Sequence, residues 1–165
     1  MRGLLVGHDA AVAAWAFDTY NFKPMPVEST LGIINSNGAL VGAALFQHHN
    51  GNDIELSYYG RNTLTPGIVR AIARAALGFG VQRLTVTTAK SNRRFVKAIL
   101  RLGFIHEAAL KQFYGKRDDL AEHTGMRMVC FKKRLEQLAG ITPGPALMPI
   151  GKDKHFMKKH QRRRK

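Results

Sequence analysis

Two hydrophobic periods succeed each other along the chain, and each switch between them marks the start of an element. Leu4 to Gly7 is a short apolar run that reads as a first strand. A helix is predicted over Ala10 to Tyr20, with Asp9 standing where it can cap the first turn. Lys23-Pro24-Met25-Pro26 ends it, because two prolines at that spacing leave an extended segment. Thr30 to Asn35, Ala39 to His48 and Asp53 to Tyr59 are strand-like runs separated by turn residues. Asn37-Gly38 predicts a two-residue hairpin between the first pair, and His49-Asn50-Gly51-Asn52 a second turn. Three antiparallel strands in a meander follow from this pattern.

After the loop Gly60-Arg61-Asn62-Thr63-Leu64, Thr65-Pro66 is a capping residue followed by proline at the first helical position. Ile68, Ile72, Ala75 and Phe79 then recur on one broad face, and Gly78 and Gly80 end the helix. Gln82 to Thr88 is the next strand. Thr87 to Tyr114 reads as a strand end, a turn, a basic amphipathic helix and another strand. Asn92 sits at the N-cap, and Phe95, Val96, Ile99 and Leu102 form one apolar stripe. Arg93, Lys97 and Arg101 lie on the other side, and Gly103 supplies a left-handed stop. Past the polar loop Gly115 to Gly125, Met126 to Lys132 is a final strand, and Leu135 to Leu138 is one helical turn. The order β-α-β-β-β-α-β-α-β-β predicts an α/β fold with a mixed sheet and helices on both faces.

Length and charge refine this picture. The 165 residues have room for one core, predicted over residues 1–138. Pro143, Pro145 and Pro149 mark a linker, so residues 139–165 read as a disordered basic tail. The net charge is +15, of which the residues from Gly151 onward carry +7. Such a balance suits phosphate-rich or acidic partners. Lys158, Lys159, Arg162, Arg163 and Arg164 are candidates for phosphate contact, without aromatic interleaving that would read a nucleic acid sequence. Cys130 is the only cysteine, which excludes an internal disulfide, and its alternating surroundings read as core. No run reaches membrane-span length and His8-Asp9 interrupt the apolar N-terminus, so a cytoplasmic protein with no membrane partner is expected. His48 and His49 are adjacent and would face opposite sides of a strand, so no metal site is expected. Ser91, His106 and Glu107 lack the elbow that a nucleophile arrangement needs.

The element order, with Asn92, Leu102-Gly103-Phe104 and the returning strand, resembles the GNAT superfamily of acyl-CoA N-acyltransferases. Asn92, Gly103 and Phe104 match the helix of that family; Phe95 replaces its small residue and Ile99 its tyrosine. The loop Arg/Gln-x-x-Gly-x-Gly/Ala of the family aligns with Asn62-Thr63-Leu64-Thr65-Pro66-Gly67, where the last glycine alone is kept. The resemblance implies a GNAT-like, mainly antiparallel central sheet and acetyl-CoA as cofactor. Its contacts would come from Asn62, Thr65, Gly67, Ile68 and Asn92, although Pro66 removes one N–H donor. Arg61, Arg70 and Arg74 offer compensating charge.

Glu55 stands where many members of the family carry a catalytic base, and Tyr58, Tyr59 and Tyr114 are the candidate acids. Arg93, Lys97 and Arg101 read as a solvated helix face, a partner for the 3′-phosphate of coenzyme A, or one for a nucleic acid backbone. Trp15, Phe17, Tyr20, Phe22 and loop 115–125 are the expected liners of the acceptor pocket. The implied activity is acetyl transfer to an amine, the acceptor being a small molecule, a protein or a nucleic acid held by the tail. The alternative is a catalytically inactive binding or structural protein of this fold. The segment Lys90-Ser91-Asn92, Phe95 and Gly103 also distantly resembles a small GNAT-like internal virion protein of podoviruses, which implies virion partners and a place in the host cytoplasm or the virion.

Overall fold

The computed structural model describes residues 2–117 and 119–145, so Lys158, Lys159, Arg162, Arg163 and Arg164 lie outside the described residues. In chain order the elements are β1 (Gly3–Leu5), α1 (Asp9–Tyr20), β2 (Ser29–Ile34), β3 (Leu40–Gln47), β4 (Asp53–Gly60) and α2 (Pro66–Gly78). There follow β5 (Arg83–Ala89), α3 (Arg93–Arg101), β6 (Ile105–Leu110), β7 (Gly125–Phe131) and α4 (Lys132–Leu138). The strands form one sheet in the order β1-β2-β3-β4-β5-β7-β6. Neighbours are antiparallel except β4 and β5, the two strands joined through α2. This is the order of strands and helices expected from the sequence, with α4 longer than the single turn predicted.

Local chemistry accounts for three departures from the sequence reading. Asp9 does not cap α1, because His8 occupies the N-cap and makes no capping bond. The Asp9 carboxylate, in the first turn, instead accepts the Thr30 N–H at 2.5 Å and ties α1 to β2. The β2–β3 turn is longer than a two-residue Asn37-Gly38 hairpin. Asn35 Oδ1 accepts the N–H groups of Asn37 and Ala39, which pulls the turn one residue earlier. Gly38 then takes a left-handed φ of 77° and the register shifts between Ile33 and Ile34. The first strand also ends earlier, at Leu5 rather than Gly7, where Gly7 turns the chain with a φ of 77°.

Strand alternation divides the core in two. On one face Ile54 and Leu56 of β4 and Leu84 and Val86 of β5 meet α2, the end of α3 and α4. On the other, Ala43 and Leu45 of β3 meet Val12, Ala16 and Phe17 of α1. Each Leu, Ile or Phe buried this way contributes roughly 1.5–3 kcal/mol. Cys130 lies in the first cluster, fully buried, and burial pushes its thiol up to about 12.

The sheet is split near its centre. β4 and β5 pair over three positions, Asp53 with Arg83, Ile54 with Leu84 and Glu55 with Thr85. Beyond them β4 continues alongside β3 to Gly60, and β5 alongside β7 to Ala89. The facing edges of residues 56–60 and 86–89 thus have no strand between them.

Candidate active site

The split opens into a cleft of about 1020 Å³. Because successive strand residues point to opposite faces, β4 serves both sides of it. Glu55, Ser57 and Tyr59 face the α1 side, while Tyr58 faces the side of α2 and α3. Tyr20 and Phe22, at the end of α1, and Tyr114 also line the cleft. Asn62, Asn92, Arg94 and Phe95 line it as well.

Each of these side chains is placed by a local cause. Glu55 Oε2 lies 3.0 Å from His48 Nδ1, across the β3–β4 turn, where His48 adopts a left-handed φ of 54°. Gln47 is buried; its Oε1 accepts the Ser57 hydroxyl at 2.9 Å and its Nε2 donates to Pro26 O at 3.2 Å. That pair of bonds fixes the chain after α1 to the floor of the site. Tyr58 stacks on Phe95, with ring centroids 6.1 Å apart, and its hydroxyl lies 2.6 Å from Thr63 Oγ1. Burial pushes its phenol up to about 12. Burial also raises Tyr59. Tyr114 is pushed up to about 12, by burial first and then by the negative charge of Glu55. Its hydroxyl donates to Thr87 O at 3.3 Å. All three phenols therefore keep their protons at neutral pH and can donate hydrogen bonds.

Of the expected cofactor contacts, Asn62 and Asn92 line the cleft; Thr65, Gly67 and Ile68 do not. The α2 N-terminus largely satisfies itself. Thr65 Oγ1 accepts the Ile68 N–H at 3.4 Å and Thr65 O accepts Val69 N–H at 2.9 Å, while Pro66 has none to offer. Gly67 remains as the N–H of this turn that meets no acceptor among the described residues. Asn92 caps α3 through its carbonyl, which accepts Phe95 N–H at 3.4 Å, and its amide donates to Thr88 at 3.3 Å.

Arg93, Lys97 and Arg101 are exposed on α3 and lie outside the cleft lining; Arg94 is the arginine of α3 that reaches it. Ile99 packs in the core. Phe17, expected in the acceptor pocket, is buried under α1, and Trp15 touches the pocket through Tyr20. Phe113, ahead of the expected loop 115–125, lines the cleft in place of that loop. Glu107 is committed to Arg83, which donates to both its oxygens at 2.8 Å and holds its carboxyl below the ordinary range. Among the described residues no three His, Cys, Asp or Glu side chains gather into a metal-holding group. Among those residues, too, no helix is long and apolar enough to cross a membrane.

No protein-family signature and no curated protein matches this sequence. Solved structures match in shape. An N-acetyltransferase from Staphylococcus aureus Mu50 superposes with a TM-score of 0.61 at 16% identity, covering 80% of this chain and 99% of that one. A structure of a candidate phosphinothricin N-acetyltransferase gives 0.59 at 14% identity, covering 80% and 99%. The dodecameric spermidine N-acetyltransferase of Vibrio cholerae gives 0.58 at 13% identity, covering 81% and 95%. At these identities the likeness is one of fold: the chain has the mixed α/β fold of the GNAT N-acetyltransferases.

Proposed function

We propose that the protein is an acyl-CoA-dependent N-acyltransferase that uses acetyl-CoA and an amine. The observation that carries this reading is the split between β4 and β5, with Glu55 and three protonated tyrosines around the cleft it opens. The facing edges at 56–60 and 86–89 suit an extended, amide-containing arm, whose own N–H and C=O groups can pair with the free strand backbone. Asn62, Asn92 and Arg94 line the cleft and would hold the polar remainder of the cofactor.

Acetyl-CoA supplies an acyl group already activated for attack by an amine. Glu55 takes the proton from the amine with the oxygen that His48 does not engage. Tyr114 would turn its hydroxyl from Thr87 O to the sulfur and stabilise the charge that develops there as the C–S bond breaks. A phenol raised to about 12 is a poor match for a thiol near ~8.5, so hydrogen bonding is its contribution, and the thiolate leaves as the anion and takes its proton from solvent. Calorimetric titration with acetyl-CoA, followed by a thiol-release assay over a panel of amines, tests the reading. Absence of heat at millimolar cofactor would sink it.

A second reading is favoured by the self-satisfied N-terminus of α2, which leaves one amide where a pyrophosphate would need several. On it the protein is a catalytically inactive member of this fold that binds nucleic acid, an acidic protein or a virion component through its basic tail, in the host cytoplasm or the virion. A silent acetyl-CoA titration, together with co-purification of a partner that is lost on deleting residues 151–165, would favour it.

A further inference from the structure

The α1 side of the cleft has a composition that restricts what can enter. Its walls are aromatic: Tyr20 and Tyr59 have ring centroids 5.1 Å apart, Phe22 and Tyr59 5.8 Å, and Phe113 and Tyr114 4.8 Å. Tyr20, Phe22, Phe113 and Tyr114 are each more than a third exposed, so their surfaces are available to a ligand. Against these rings stands one carboxylate. Glu55 is the only acidic residue of the cleft lining among the described residues, and Arg61 and Arg94 share that lining. One oxygen of Glu55 is held by His48, and Oε1 meets no donor among the described residues.

We infer that the acceptor is a small monoamine on an aromatic body. This deepens the acyltransferase reading and rests on it. The ammonium group goes to Glu55, whose negative charge already acts on the Tyr114 phenol. The body of the molecule lies against the aromatic rim, which supplies apolar area and ring-to-ring contact. A polyamine is disfavoured on two counts. Its second and third charges find no further carboxylate in the cleft, and they meet Arg61 and Arg94 in a protein whose net charge is already +15. The spermidine N-acetyltransferase that shares the fold is thus no guide to the acceptor here.

Trp15 is the only tryptophan of the chain, and its ring centroid lies 6.3 Å from that of Tyr20, so its fluorescence reports on the pocket. The full-length protein is titrated with 2-phenylethylamine, 2-phenylethanol, butylamine and spermidine, with and without coenzyme A. We expect saturable binding of 2-phenylethylamine at least about tenfold tighter than that of the other three. In Glu55→Gln the advantage of 2-phenylethylamine over 2-phenylethanol should disappear. Spermidine or butylamine binding as well as 2-phenylethylamine, an advantage that survives Glu55→Gln, or no saturable binding of 2-phenylethylamine would each overturn the proposal. Comparison of the four probes on the unaltered protein does not depend on any variant folding. Acetyl-CoA binding, measured separately by calorimetry, keeps the two readings apart. Discrimination among amines without cofactor binding removes the acyltransferase and leaves a monoamine pocket; cofactor binding without discrimination does the reverse.

Discussion

Glu55 is the residue on which the proposed chemistry turns, because it is the carboxylate of the cleft and one of its oxygens is free for a substrate. Glu55→Gln keeps the shape and removes the base. We expect acetyl transfer to fall by about a hundredfold or more with the circular dichroism spectrum unchanged. Cys130 behaves in the opposite way. Its thiol should be unreactive toward thiol reagents in the native protein at pH 8 and react fully in denaturant, since burial keeps it protonated. The same burial has a consequence for stability. Cys130 rises from 9.0 to about 12, and Tyr58 and Tyr114 from 10.0 to about 12. The folded state therefore holds protons that the unfolded state releases above about pH 9. This stability is fully present below that point and is lost as pH rises toward 12. Urea midpoints should fall over this window, and Cys130→Ala should flatten the fall at its lower end. The position of Glu55 on a strand ahead of the loop is legible in the sequence. The part played by His48 is not, because its contact with Glu55 is made across a turn by a residue in a left-handed conformation.

Among the elements, α2 and α3 are the most legible in the sequence, since each carries its own start signal. Thr65 and Asn92 cap them through side-chain oxygens, as their place before each helix predicts. Thr65→Ala should cost about 1 kcal/mol, seen as a lower urea midpoint at unchanged slope. Asn92→Ala should cost a similar amount and weaken acetyl-CoA binding as well, because Asn92 also lines the cleft. Gly103 ends α3 with a φ of 92°, and a Cβ there would lie 2.6 Å from Arg134 Nε, which donates to Leu102 O at 2.8 Å. Gly103→Ala is expected to cost more than about 1 kcal/mol in a denaturant titration, by combining backbone strain with displacement of Arg134. The turn between β2 and β3 departs from the Asn37-Gly38 pattern because Asn35, outside that pair, decides it through two side-chain hydrogen bonds.

At the scale of the whole molecule, charge and topology act separately. The net charge of +15 is a property of composition, and deleting residues 151–165 lowers it to +8. Elution from a cation exchanger should move to lower salt, and any affinity for duplex DNA should both weaken and lose part of its salt dependence. Retention that does not change would show that the tail charge is neutralised within the protein. Helix and strand order, the caps Thr65 and Asn92, the left-handed stop at Gly103 and the charge were determined by the sequence alone. Each depends on neighbours within a few positions or on a simple sum. Tertiary structure alone decided that β4 and β5 part after three pairs, and that Gln47 reaches Pro26. It also decided that Tyr114 reaches Thr87 and that Phe17 turns into the core while Phe22 turns to the cleft. The physical reason is that alternation fixes which face a side chain takes within its strand. The distance between two strands is set by the partners on their outer sides, here β3, the hairpin neighbour of β4, and β7, which is separated from β5 by α3 and β6.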